Sequence, residues 1–248
     1  MSLFDLPNFS EIKPDQIESQ TKDLIAECKN TVEEKLKQSH FTWDNLIAPI
    51  DEVEDKLNKY WSPVSHMNSV VSSDELRNAH DSCLPMLSEY GTWVGQNKAL
   101  FDAYVQIKED GSFSSLTEAQ QKTMNDAIRD FKLSGVALPG DKKKRYGEIK
   151  AKLSELSSKF SNQVMDATLG WTKLVTEESE LDGLPESAKA AAAQTARQKD
   201  MQGWLFTLDI PSYLPVITYA DNRSLREEMY IAYSTRASNQ GPNAGKWD

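Results

Sequence analysis

The side chains best able to do chemistry in this chain of 248 residues are few, and their spacing argues against a self-contained active site. Histidine stands only at His40, His66 and His80, and none is followed by Glu. The helical H-E-x-x-H pattern, which sets two imidazoles and a general base on one face, is therefore absent. His66 and His80 are too far apart to share an ion as an i, i+4 pair, and Cys28 and Cys83 form no C-x-x-C pair to complete a tetrahedral zinc site. Each His is expected at the surface or at a helix cap, and both thiols are expected reduced and partly buried. Asp51, Glu52, Glu54 and Asp55 lack the glycine and alternating ligand spacing of a calcium loop, and read as a solvated helix face. There is no G-x-S-x-G elbow, no Cys in a His/Asn setting and no Gly-rich phosphate loop ahead of a helix. Tyr213, Tyr219, Tyr230 and Tyr233 offer apolar bodies with polar tips that suit a peptide surface, but core packing with hydroxyls bonded at the boundary is the expected role. No catalytic, cofactor-binding or metal-ligating residue is assigned.

The charge balance excludes further classes. A formal charge of −10 opposes nonspecific binding to nucleic acid or anionic membrane, because such binding needs Lys and Arg to displace phosphate counter-ions. The one basic run, Lys142-Lys143-Lys144-Arg145, follows Asp141 without interleaved aromatics and reads as the solvated start of a helix. No stretch approaches the roughly 20 apolar residues of a membrane span. Asp5, Glu11 and Asp15 interrupt any apolar run that would serve as a signal peptide. With two unpaired cysteines, a cytoplasmic location is expected, with neither nucleic acid nor membrane as partner.

The elements that must position these residues are mostly helical. Phe4 to Phe9 reads as an extended strap docking on later helices. Pro14 suits a first helical turn, and Ile17, Leu24, Cys28, Val32 and Leu36 make one apolar stripe. Leu46, Ile50, Val53, Leu57 and Tyr60 predict a second helix ending before Pro63. Ser72 with Glu75 predicts a capping box opening a helix through Leu76, Ala79, Cys83, Leu87 and Tyr90, bent or broken at Gly91 and Gly95 and continued from Leu100 to Ile107. Asp110-Gly111-Ser112 ends it. Thr117 with Gln120 starts a helix that Gly135 terminates. Ile149, Leu153, Leu156, Phe160, Val164 and Ala167 then predict a buried stripe on a long helix. Gly170 to Thr176 and Trp204 to Leu208 read as a pair of strands, separated by a helix begun at Pro185. A short turn or helix between Pro211 and Pro215, and a last helix capped at Asp221-Asn222, complete the chain before a polar tail. The expected class is mostly α: an antiparallel helical bundle with a small two-stranded β element in the C-terminal third.

Specific strings add to this pattern. Leu87-Ser88-Glu89-Tyr90-Gly91-Thr92-Trp93-Val94-Gly95-Gln96, Arg145-Tyr146-Gly147-Glu148-Ile149 and Leu208-Asp209-Ile210-Pro211-Ser212-Tyr213-Leu214-Pro215 resemble stretches of the thimet oligopeptidase family of zinc metallopeptidases. The resemblance extends through Leu225-Arg226-Glu227-Glu228-Met229-Tyr230 and Ser234 to Ser238 to Gly241 to Trp247, and covers the chain from Phe4 onward. It implies the N-terminal part of a longer enzyme, with residues 1–168 as a helical channel-wall domain and 169–248 as a mixed β/α continuation ahead of a catalytic domain. In that family H-E-x-x-H and a further Glu ligand lie beyond the equivalent of Asp248. The resemblance thus implies zinc in the full-length parent but no cofactor in this chain. It also implies short peptides, cleaved signal peptides among them, as parental substrates, and the C-terminal catalytic domain as the missing partner. The fragment is expected to be inactive alone and to expose apolar surface where that domain packs. A free-standing helical module that binds peptides or a protein without cleaving them is the alternative.

Overall fold

The computed structural model describes residues 6–242 and 244–246. Packing divides the chain into two compact units, Met1–Leu156 and Ser157–Asp248. The structure is mostly α, with nine α-helices and one two-stranded antiparallel sheet among the described residues.

In the first unit α1 (Pro14–Lys35), α2 (Ala48–Val70) and α3 (Asp74–Gly95) pack on one another, followed by α4 (Lys98–Glu109) and α5 (Glu118–Leu133). The unit also holds the first part of α6 (Gly140–Leu169). Pro14 occupies the first turn of α1, where its missing N–H leaves no bond unmade. The buried face of α1 is Ile17, Thr21, Ile25, Cys28 and Val32, so Ile25 takes the inward place expected of Leu24. A π-type turn, Trp43–Ile47, leads into α2, and Thr42 and Asn45 cap it reciprocally. Val32, Leu46, Ile50, Leu100, Ile107, Met124 and Phe131 fill the largest core of this unit. Smaller cores form around Cys28, Val53, Leu57 and Tyr90, and around Ile17, Val64, Leu76 and Cys83.

Four local expectations for this unit are corrected. α2 does not stop before Pro63 but runs through it to Val70, because Pro63, Val64 and Asn68 are all buried and their packing outweighs the one lost ladder bond. The cap of α3 is Ser73, whose hydroxyl accepts the Leu76 N–H at 3.2 Å, one residue later than the Ser72–Glu75 box. α3 continues through Gly91, and Leu100 to Ile107 belong to the separate helix α4, started by the Asn97 side chain accepting from Leu100 N. Leu6 is exposed rather than docked as a strap, whereas the Phe9 ring lies 5.9 Å from that of His66. Phe4 and Asp5 lie outside the described residues.

The Thr117–Gln120 capping box of α5 forms as its spacing predicts. α5 ends where Gly135 adopts φ +80° and Val136 N–H bonds back to Phe131 O at 3.1 Å. A Cβ at Gly135 would lie 2.5 Å from Leu138 Cδ1. Gly135→Ala should therefore destabilise the unit by about 1–2 kcal/mol, read from the urea midpoint at unchanged m-value.

The second unit begins within α6 and contains β1 (Thr172–Val175), α7 (Glu186–Gln198), β2 (Trp204–Thr207), α8 (Ile210–Tyr219) and α9 (Arg223–Ser234). β1 and β2 pair antiparallel, Thr172 opposite Thr207 and Val175 opposite Trp204, as the β-branched and aromatic runs predict. Trp171, Val175, Leu181, Phe206, Leu208, Val216, Leu225 and Met229 share its core. Asn222 caps α9 by accepting from Leu225 N at 3.1 Å. Gly183, at φ +85°, lies where a Cβ would strike Tyr219 O at 2.3 Å, so the loop behind β1 passes close to the end of α8.

Candidate functional site

The first unit holds an open groove of about 820 Å³ between α3 and α6. From α3 it takes Pro85, Ser88, Glu89, Thr92, Trp93 and Gln96, which recur at three- and four-residue steps and so share one face. That face lies aside from the Leu76, Cys83 and Tyr90 face that enters the core. From α6 it takes Lys143, Gly147, Glu148 and Ala151, again one helical face, with Gly147 and Ala151 too small to fill the space. Gln96 Nε2 donates to Lys143 O and Lys143 Nζ donates to Gln96 O, both at 3.4 Å, tying one end. The strings Leu87 to Gln96 and Arg145 to Ile149, which carry the resemblance, thus meet across one groove though some fifty residues apart in sequence.

Behind the groove lies a polar cluster drawn from α1, α2 and α3. Tyr90 Oη donates to Glu54 Oε1 at 2.7 Å, and Cys28 Sγ donates to Val53 O at 3.4 Å. Glu54 is corrected from a solvated position to a half-buried one, while Asp51, Glu52 and Asp55 remain exposed. Helical geometry explains the difference: Glu54 follows buried Ile50 by four residues and precedes buried Leu57 by three. Burial holds the Glu54 carboxyl above the usual carboxylate range, against the Tyr90 hydrogen bond that lowers it. Burial likewise pushes both the Tyr90 and the Tyr104 phenol up. The Cys28 and Cys83 thiols are free, fully buried and pushed up chiefly by burial, which makes them inert rather than nucleophilic. Trp93 stacks near Tyr90 with centroids 6.2 Å apart, and Lys29 Nζ stands 5.7 Å from the Trp93 ring and 3.8 Å from Glu89.

The three histidines do not converge. His40 and His66 are exposed. His80 is corrected from surface to interior edge: it stacks on Trp61 at 4.9 Å, with Nδ1 3.0 Å from Asp81 Oδ1 and Nε2 3.5 Å from Ser65 Oγ. This places Ser, His and Asp in line, an order that hydrolases use. Here, however, Ser65 lies inside α2, where neighbouring backbone N–H groups are spent on the helix and cannot form an oxyanion hole. The array joins α2 to α3. Among the described residues no group of three His, Cys, Asp or Glu side chains could hold a metal ion.

In the second unit the tyrosines divide. Tyr213 and Tyr233 stack at 4.1 Å with the Arg236 guanidinium 3.7 Å from the Tyr233 ring, in keeping with a packing role. Tyr219 and Tyr230 are exposed, which corrects the expectation that all four pack in the core. Both project from helices whose inward places are already held by Val216, Leu225 and Met229.

Residues 21–143 match a family described as neurolysin/thimet oligopeptidase, N-terminal domain. The chain is 59% identical to oligopeptidase A of Haemophilus influenzae over 98% of its own length and 36% of the relative's. It is 54% identical to oligopeptidase A of Escherichia coli over 99% of its length, and 53% identical to that of Salmonella typhimurium over its full length. The chain belongs to the thimet oligopeptidase family. It spans about a third of the length of the curated oligopeptidases A that it matches. The match over 21–143 takes in most of α1 and all of α2 to α5, with the α3 side of the groove. No helix of the described residues is long and apolar enough to cross a membrane.

Proposed function

We propose that this chain is the N-terminal, channel-wall part of an oligopeptidase A-like zinc metalloendopeptidase that hydrolyses short peptides, cleaved signal peptides among them, in the cytoplasm. The observation that carries the reading is identity above one half to oligopeptidases A along almost all of this chain and only about a third of theirs. In this reading residues 1–168 form the helical wall and 169–248 continue the same region. A C-terminal catalytic domain supplies H-E-x-x-H and is the partner. Zinc bound there would polarise the scissile carbonyl and activate water. The part of this chain is steric and orienting: rigid helices bound a space that admits extended peptide and excludes folded protein.

The test is hydrolysis of a quenched fluorescent oligopeptide by the purified chain, with zinc added and then chelated. The expected result is no turnover in either state. Hydrolysis that persists in chelator would overturn the reading, because the chain would then hold a hydrolytic site of its own.

A further inference from the structure

Trp93 belongs both to the groove and to the interior. It lines the α3–α6 groove, yet it also packs against the largest core and against the smaller one around Cys28, Val53, Leu57 and Tyr90. From α6 the groove receives only the small Gly147 and Ala151 beside Lys143 and Glu148, while Ile149, Leu153 and Leu156 of the expected buried stripe lie exposed. Two groups hold the indole from α1 and α3. Tyr90, three residues earlier on α3, stacks with it at 6.2 Å between centroids and 24° between planes. Lys29 Nζ approaches the ring at 5.7 Å, but that cation also serves the exposed Glu89 at 3.8 Å.

Tyr90 is itself tied at its far end, where Oη donates to Glu54 Oε1 at 2.7 Å and joins α3 to α2. The other titratable groups facing Glu54 are Cys28 from α1, Asp51 from its own helix and Tyr104 from α4. Glu27 and Lys56, at the outer edge of the α1–α2 seam, are taken up with each other at 2.8 Å. The groups that face Glu54 are thus all acids, and the Tyr90 phenol is what steadies its charge. A hydroxyl bonded to an ionised carboxylate is held roughly twice as strongly as one bonded to a neutral acceptor. A proton on Glu54 therefore weakens the tie about twofold. Burial, set against the Tyr90 bond and joined by the charge of Asp51, makes Glu54 keep that proton above the usual carboxylate range.

We propose that Glu54 is a proton-operated latch on the α3 wall of the groove: ionised, it holds Tyr90 and through it Trp93, and protonated, it lets both loosen. The latch and the overall stability respond to pH in opposite senses. As pH rises through the window in which Glu54 ionises, the burial penalty on the charge lowers the unfolding free energy. Over the same window the tie to Tyr90 strengthens, so Trp93 becomes more ordered while the fold becomes easier to unfold. All the contacts involved lie among α1 to α4, so the latch works whether or not further chain covers the groove. It stands apart from the peptidase reading.

The experiment follows the Trp93 indole N–H of the isotope-labelled full chain by NMR between about pH 4 and pH 8, its signal identified by its loss in Trp93→Phe. The signal should shift with one midpoint above the usual carboxylate range, and its relaxation should report a more rigid indole above that midpoint than below it. Glu54→Gln, which keeps an acceptor for Tyr90 and removes a half-buried charge, should stay folded and abolish the titration. Tyr90→Phe separates a latch from a mere field of the carboxylate on the indole, which would survive because the ring remains. The latch predicts that Glu54 still titrates in Tyr90→Phe, seen at its labelled carboxyl carbon, while Trp93 no longer follows. Glu89→Gln, at the other carboxylate linked to Trp93, should leave the midpoint in place. A Trp93 signal that does not titrate, that titrates unchanged in Glu54→Gln or Tyr90→Phe, or that loses its titration in Glu89→Gln would overturn the proposal. So would an indole no more rigid above the midpoint than below it.

Discussion

Phe131→Ala should lower the unfolding free energy of the first unit by about 3–5 kcal/mol, the range for deleting a large aromatic from a close-packed interior. Phe131 is 5% exposed at the end of α5, and two rings meet it edge-on, Tyr104 at 5.3 Å and Phe101 at 5.9 Å. Truncation therefore removes the buried area of one ring and both aromatic contacts, and leaves a cavity between α4 and α5 that neither helix can close without moving the other. Urea unfolding followed by tryptophan fluorescence measures it. A loss under about 1 kcal/mol would mean that this end of the bundle is not packed as described.

Tyr90→Phe should cost about 1.5–3 kcal/mol near neutral pH, because it strips a half-buried carboxylate of its phenol donor. Its pH dependence carries the sharper sign. Burial raises the Glu54 pKa in the folded state, so between the ordinary carboxylate value and that raised value the folded chain holds a proton that the unfolded chain has lost. Stability should thus fall as pH rises through that window, and the full penalty should be present above it. Removing the Tyr90 donor raises the pKa further and widens the window upward. Glu54→Gln keeps an acceptor for Tyr90 and abolishes this component of the pH dependence, with a gain in stability at neutral pH. Urea midpoints measured from pH 4 to pH 8, flat in both variants and in the parent, would contradict the assignment.

Much of the architecture could be read from local chemistry. The Thr117–Gln120 box, the Gly135 terminus, Pro14 in the first turn of α1 and the Asn222 cap need only residues within one turn of each other, and each forms. The strand pair likewise follows from two short β-branched and aromatic runs with no other partner. The misreadings have more than one cause. Pro63 stays inside α2 because Val64 and Asn68 are buried, and a proline rule applied to sequence cannot weigh that packing. Glu54 and His80 turn inward because residues three or four positions away are buried, a signal that was present in the spacing of Ile50, Leu57, Leu76 and Cys83. The α6 stripe shows the converse: apolar periodicity locates a helix face but does not say that this chain covers it. The α3–α6 groove lies beyond any single-segment reading, since its two walls come from distant strings.

The central claim is that these 248 residues can serve as the wall of an oligopeptidase whose chemistry lies elsewhere. Its most direct test is a chimera in which the segment of Escherichia coli oligopeptidase A that matches this chain, at 54% identity, is replaced by the chain itself. The account predicts metal-dependent hydrolysis of a quenched oligopeptide within about tenfold of the parent enzyme, a cost of no more than about 1.4 kcal/mol in transition-state stabilisation. A folded, zinc-loaded chimera without peptide hydrolysis would contradict it.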